Sequence, residues 1–126
     1  MNKIVDFSSL SVVFVAAILV LSFNLESHSA IKVYPRLITP GTSADNGNAF
    51  FDFEIFDEPK PELKIFDITG RQVKSTQILN PSATSTGWRF VWNGKDDSGN
   101  LVSPGVYIYQ WREGTATTTG SIVVAR

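Results

Sequence analysis

The sequence predicts an all-β fold: a two-sheet antiparallel sandwich of about seven strands, preceded by an N-terminal signal peptide. Three observations carry this. After residue 30 the apolar residues alternate with the period of two that a half-buried strand requires. Gly, Pro, Asn and Asp cut the pattern about every 8–12 residues. No stretch in that region repeats its apolar residues with the helical period.

The chain opens on Lys3, a short basic start, and carries no charge across 7–25. Small residues and a break follow at Glu26, Ser27, His28, Ser29 and Ala30. This order reads as a secretory signal over residues 1–30, cut after Ser29 or Ala30. The alternative is an uncleaved anchor, because 7–25 is about long enough to span a bilayer. Either reading places residues 31–126, the expected domain, outside the cytoplasm.

Residues 31–38 are the first expected strand, ended by Thr39-Pro40-Gly41. A polar loop containing Asp45-Asn46-Gly47 leads to a strand over 49–56, with Phe51, Phe53 and Ile55 on one face and Asp52 and Glu54 on the other. The Pro59 and Pro61 turn cannot continue a ladder, since proline lacks the donor. Residues 62–68 and 71–78 form a pair joined at Thr69-Gly70, and 80–87 is a polar loop. Residues 88–93 put Trp88, Phe90 and Trp92 on one face. A turn cluster over 95–100 and the Ser103-Pro104-Gly105 turn precede a strand over 106–112. Residues 115–125, rich in Thr and Val, form the last.

Composition narrows the function. The 126 residues hold 11 basic and 12 acidic side chains, a net charge of −1, which argues against nucleic acid as a partner. A membrane is expected to matter only through the N-terminal segment, if that stays uncleaved. There is no Cys, and the one His and one Met both precede residue 31. The expected domain therefore has no Ser-His triad, thiol nucleophile or imidazole ligand. A carboxylate pair such as glycosidases use needs a deep cleft, and Asp57/Glu58 and Asp96/Asp97 both lie in turns. No enzyme and no cofactor is expected.

The turn over 93–100 offers oxygen donors at Asn93, Asp96 and Asp97. Its spacing fails the EF-hand loop, because Gly94 stands where the first Asp belongs when Gly99 is the sharp-turn position. The expectation is that Asn93 and Asp96 bond their own backbone, with Gly99 at positive φ. Tyr107, Tyr109 and Trp111 share a face and would be either core or a sugar-stacking platform; their burial decides between the two. Trp88, Phe90, Trp92, Tyr107 and Tyr109 are the expected core. Gly70, Asn93, Gly94, Asp96, Gly99 and Gly105 are the expected turn residues.

The segment Leu63-Lys64-Ile65-Phe66-Asp67-Ile68-Thr69-Gly70-Arg71-Gln72-Val73 resembles a strand, turn and strand of the immunoglobulin-like domain of FlgD, the flagellar hook-capping protein. Trp92-Asn93-Gly94-Lys95-Asp96-Asp97-Ser98-Gly99-Asn100 is similar to that family's Trp-Asp-Gly-x-Asp-x-x-Gly segment, with Asn93 replacing Asp. Val102-Ser103-Pro104-Gly105-Val106-Tyr107-Ile108-Tyr109 resembles its Val-x-x-Gly-x-Tyr-x-Tyr segment. The resemblance implies an immunoglobulin-like (fibronectin-III-like) sandwich without catalysis, used in assembly or sorting of exported bacterial proteins. Similar C-terminal domains direct cargo through type IX secretion. No cargo domain precedes this one, so a docking module rather than a sorting tag alone is expected. Its partners would be other exported or envelope proteins, met through an edge strand, either 31–38 or the Thr-rich last strand. The alternative function is a carbohydrate-binding module of the cell surface.

Overall fold

Alternating apolar residues become strands here because each strand buries one face and leaves the other in water. The computed structural model describes residues 31–41 and 46–126. The expected signal over 1–30 lies outside the described residues. The described residues form nine strands: β1 (Lys32–Tyr34), β2 (Leu37–Ile38), β3 (Ala49–Phe53), β4 (Glu62–Asp67), β5 (Gln72–Gln77), β6 (Ser82–Ala83), β7 (Trp88–Trp92), β8 (Gly105–Glu113) and β9 (Ala116–Val124). Among the described residues there is no helix.

The strands build two sheets, ordered β1-β3-β7-β6 and β2-β9-β8-β4-β5. Every pairing is antiparallel except β2 with β9, which is parallel. The expected single strand over 31–38 is in fact two. Pro35 has no amide hydrogen to give a ladder, and the chain changes sheets there. The strand expected over 49–56 stops at Phe53, so Ile55 lies 50% exposed rather than in the core. The loop over 80–87 contains β6, whose Ser82 and Ala83 pair with Arg89 and Trp88. Gly105 opens β8 and does not lie in a turn.

The core lies between the sheets. Phe51 stacks on Trp111 at 5.7 Å and meets Tyr109 edge-on at 5.3 Å. Trp92 meets Tyr107 at 6.1 Å. These pairs cross from β3 and β7 to β8, so aromatic area joins the two layers. Leu63, Ile65, Ile78 and Ile122 fill the spaces between them and are fully buried. Trp88 and Phe90 are only half-buried, a correction to the expected core. Their strand is flanked on one side by the two-residue β6, and Trp88, leaning on Phe56 at 5.3 Å, packs with Phe90 at the margin of the core.

Candidate functional site

The β4–β5 turn, the turn over 93–100 and the segment leading into β8 line one cleft. Trp92 is buried, and its indole Nε1–H donates to the Lys95 carbonyl at 2.9 Å. One side chain thus holds both the core and the turn that follows it. The Asn93 Oδ1 accepts from the Lys95 amide at 3.2 Å, and the Asp96 Oδ1 accepts from the amides of Ser98 and Asn100 at 2.9 and 3.0 Å. Gly94 and Gly99 have φ of 77° and 87°. Gly94 also lies under Pro40, so close that a Cβ would stand 2.4 Å from the proline ring. The oxygen atoms that suggested a cation site are therefore engaged, those of Asn93 and Asp96 by the turn's own backbone and that of Asp97 by the Ser75 amide and the Lys74 ammonium. Among the described residues, no three His, Asp or Glu side chains group as metal ligands would.

Asp67 does the same work in the β4–β5 turn. Its carboxylate accepts from the Thr69 hydroxyl at 2.6 Å, the Thr69 and Arg71 amides, and the Arg71 guanidinium at 3.1 Å. The Thr69 hydroxyl bond is the main force holding the Asp67 carboxyl below its ordinary pKa. Gly70, at φ 91°, completes the turn.

Tyr107, Tyr109 and Trp111 are 5%, 3% and 1% exposed, which removes the proposed sugar-stacking row. The Tyr107 hydroxyl donates to the Ser103 carbonyl at 2.5 Å, tying β8 to the segment that precedes it. The alternate residues Val106 and Ile108 point outward.

A polar cluster that the sequence reading missed sits on the outer face of the four-stranded sheet. Register places Asp52 opposite Arg89. The guanidinium grips the carboxylate through Nε at 2.6 Å and Nη2 at 2.9 Å. Tyr34 donates to Asp52 at 2.7 Å and accepts from Arg89. The Arg89 group lies 4.7 Å from the centre of the Phe50 ring. The hydrogen bond from Arg89 pulls the Asp52 carboxyl below the usual carboxylate range, and the bond to Asp52 raises the Tyr34 hydroxyl. Its signal was in the sequence: Asp52 and Arg89 stand on the polar faces of two aromatic strands. Only register brings them together.

The outer face of the five-stranded sheet differs. Leu37, Val123 and Val106 lie side by side across three strands, and Ile108 and Phe66 are opposite each other in the next row. Leu37, Val106, Ile108 and Val123 are 38–49% exposed. Val106 also lines a cleft of about 330 Å³ with Leu101 and Ile68, and Ile68 is 76% exposed. A contiguous apolar surface of this kind marks an interaction site more often than scattered single residues do.

No protein-family model and no curated protein matches the chain. Solved structures do match. One is PorZ, an essential bacterial surface component of the type IX secretion system of Porphyromonas gingivalis, with a TM-score of 0.53, 22% identity and 77% of this chain covered. Another is the dimeric latent form of PorU from the same organism, with a TM-score of 0.56, 16% identity and 81% of this chain covered. The likeness is one of fold. The chain spans 12% and 10% of those proteins' lengths, so it matches one part of each.

Proposed function

We propose that this chain is an exported, non-enzymatic immunoglobulin-like module of the FlgD type that docks to other exported or envelope proteins in a type IX secretion setting. Strand order supports the fold assignment. β1-β3-β7-β6 follows the A-B-E-D order of an immunoglobulin sandwich, and β9-β8-β4 follows G-F-C. The Tyr107 bond to the carbonyl four residues upstream has the form of that fold's tyrosine corner. The matched parts of PorZ and PorU support the setting.

The observation that carries docking is the apolar outer face of Leu37, Val106, Ile108 and Val123, continued by Ile68 and Leu101. The motif carboxylates are spent on turns and the aromatic row is core, so chemistry on a bound substrate has no support. The test is a double substitution, Ile108→Asp with Val123→Asp. Both side chains are part-exposed, so the fold should survive. The native chain should capture identified secretion-system components from the envelope of its host, and the variant should not. Equal capture by both would overturn the reading.

A further inference from the structure

Sheets end in edges, and an open edge invites another strand. Among the described residues three of the four edges are closed. β1 has three residues, starts with Lys32 and is followed by Pro35. β6 has two residues. The β5 edge is covered by the turn that follows β7: the Asp97 amide donates to the Val73 carbonyl at 3.0 Å, and the Asp97 carboxylate accepts from the Ser75 amide at 3.3 Å. The fourth edge is β9. There β2 covers only Val123 and Val124.

The amides of Val123 and Ala125 donate toward β2, to Arg36 and Ile38. The register of β9 with β8 runs without a bulge, so the backbone groups of Thr117, Thr119 and Ser121 face the same way. Along 117–121 no strand pairs with them among the described residues; Arg36 reaches the Ser121 carbonyl only at 3.5 Å. From Ala116 to Val124 the strand carries no charge, no proline and no bulge, so it has none of the devices that blunt the other edges.

We propose that this open stretch pairs antiparallel with the same stretch of a second copy, Thr119 opposite Thr119. Length argues for this occupant. Any incoming strand must stop opposite Ser121, because Arg36 lies beside Ile122 with its carbonyl on the Val123 amide at 2.7 Å. In the Thr119-centred register the partner's Thr117 falls opposite Ser121, one residue into a strand that begins at Ala116. Two copies therefore fill each other's open edge without meeting either β2. Charge agrees: the paired stretches are neutral, so no like charges oppose, and Thr-Thr cross-strand pairs are favourable. The site is distinct from the apolar face proposed for docking to other proteins.

The chain has no cysteine, which makes a single-cysteine test clean. Residues in a hydrogen-bonded antiparallel pair have Cα atoms about 5.5 Å apart, within reach of a disulfide. Thr119→Cys in the full chain should oxidise to a covalent dimer, whereas Gln77→Cys on the β5 edge should stay monomeric. By light scattering the unaltered chain should weigh as two copies. Thr119→Pro should weigh as one, since its missing amide points away from β8 and the β8 ladder is kept. If the proline variant misfolds, Thr119→Lys asks the same question by placing two charges face to face. A monomeric native chain, or a Thr119→Cys chain that oxidises no faster than the Gln77→Cys control, overturns the proposal. So does a monomer that binds a different protein's strand at this edge and loses it in Thr119→Pro.

Discussion

Trp92 shows how much one residue can hold. Its ring is buried against Tyr107, and its indole nitrogen anchors the turn at Lys95. Trp92→Ala should cost about 3–5 kcal/mol in chemical denaturation, the range for deleting a buried aromatic. Against a total of about 5–15 kcal/mol this leaves a marginal domain. Ile108→Ala, on a 39% exposed side chain, should cost far less. Asp52 makes a different prediction. Arg89 depresses its carboxyl pKa in the folded state, so the pair contributes stability above the unfolded value of about 3.9 and loses it as pH falls through the lower folded value. Asp52→Asn should lower stability at neutral pH by up to about 1 kcal/mol, the scale of a part-exposed ion pair. Its stability should also fall less steeply on acidification, which unfolding curves at several pH values would show.

At the scale of elements, turns and edges decide the outcome. Gly70 and Gly94 both hold positive φ, but only Gly94 has a neighbour in the way. Gly70→Ala should cost about 1 kcal/mol, the backbone penalty alone. Gly94→Ala adds the collision with Pro40 and should cost more, about 2–4 kcal/mol. Equal losses in thermal melts would refute that difference. The long strands were legible because their apolar residues alternate: Tyr107 and Tyr109 point inward, as do Leu63, Ile65 and Trp111. The acidic turn was legible because Asn, Asp and Gly have few other uses in such spacing. Three features were not. Pro35 stands inside an apolar run over 31–38 that hides the break between β1 and β2. Ser82 and Ala83 carry no apolar pattern and are held only by pairing with β7. The exposed row from Leu37 to Val106 depends on β2 lying parallel to β9, a pairing between distant segments that local periodicity does not encode.

At the scale of the whole molecule, the expectation that residues 1–30 are removed has a direct check. N-terminal sequencing of the exported protein should start at Ala30 or Ile31, and an intact N-terminus in the membrane fraction would contradict it. Melts in excess calcium and in chelator should coincide, because the turn oxygens already serve backbone amides. A two-fold pairing at Thr119 would join two five-stranded sheets into one and keep both apolar faces on the same side. Docking would then be bivalent, with avidity beyond that of one face.

The split first strand also governs when this protein can fold. β1 belongs to one sheet and β2 to the other, and β2 is held by β9, from the opposite end of the described chain. Loop-closure entropy for such a contact is met only when both ends are present. A nascent chain that lacks 116–126 has no strand to receive β2 and no cover for β8. β9 is thus the latch, and the sandwich closes only once 116–126 is free to receive β2.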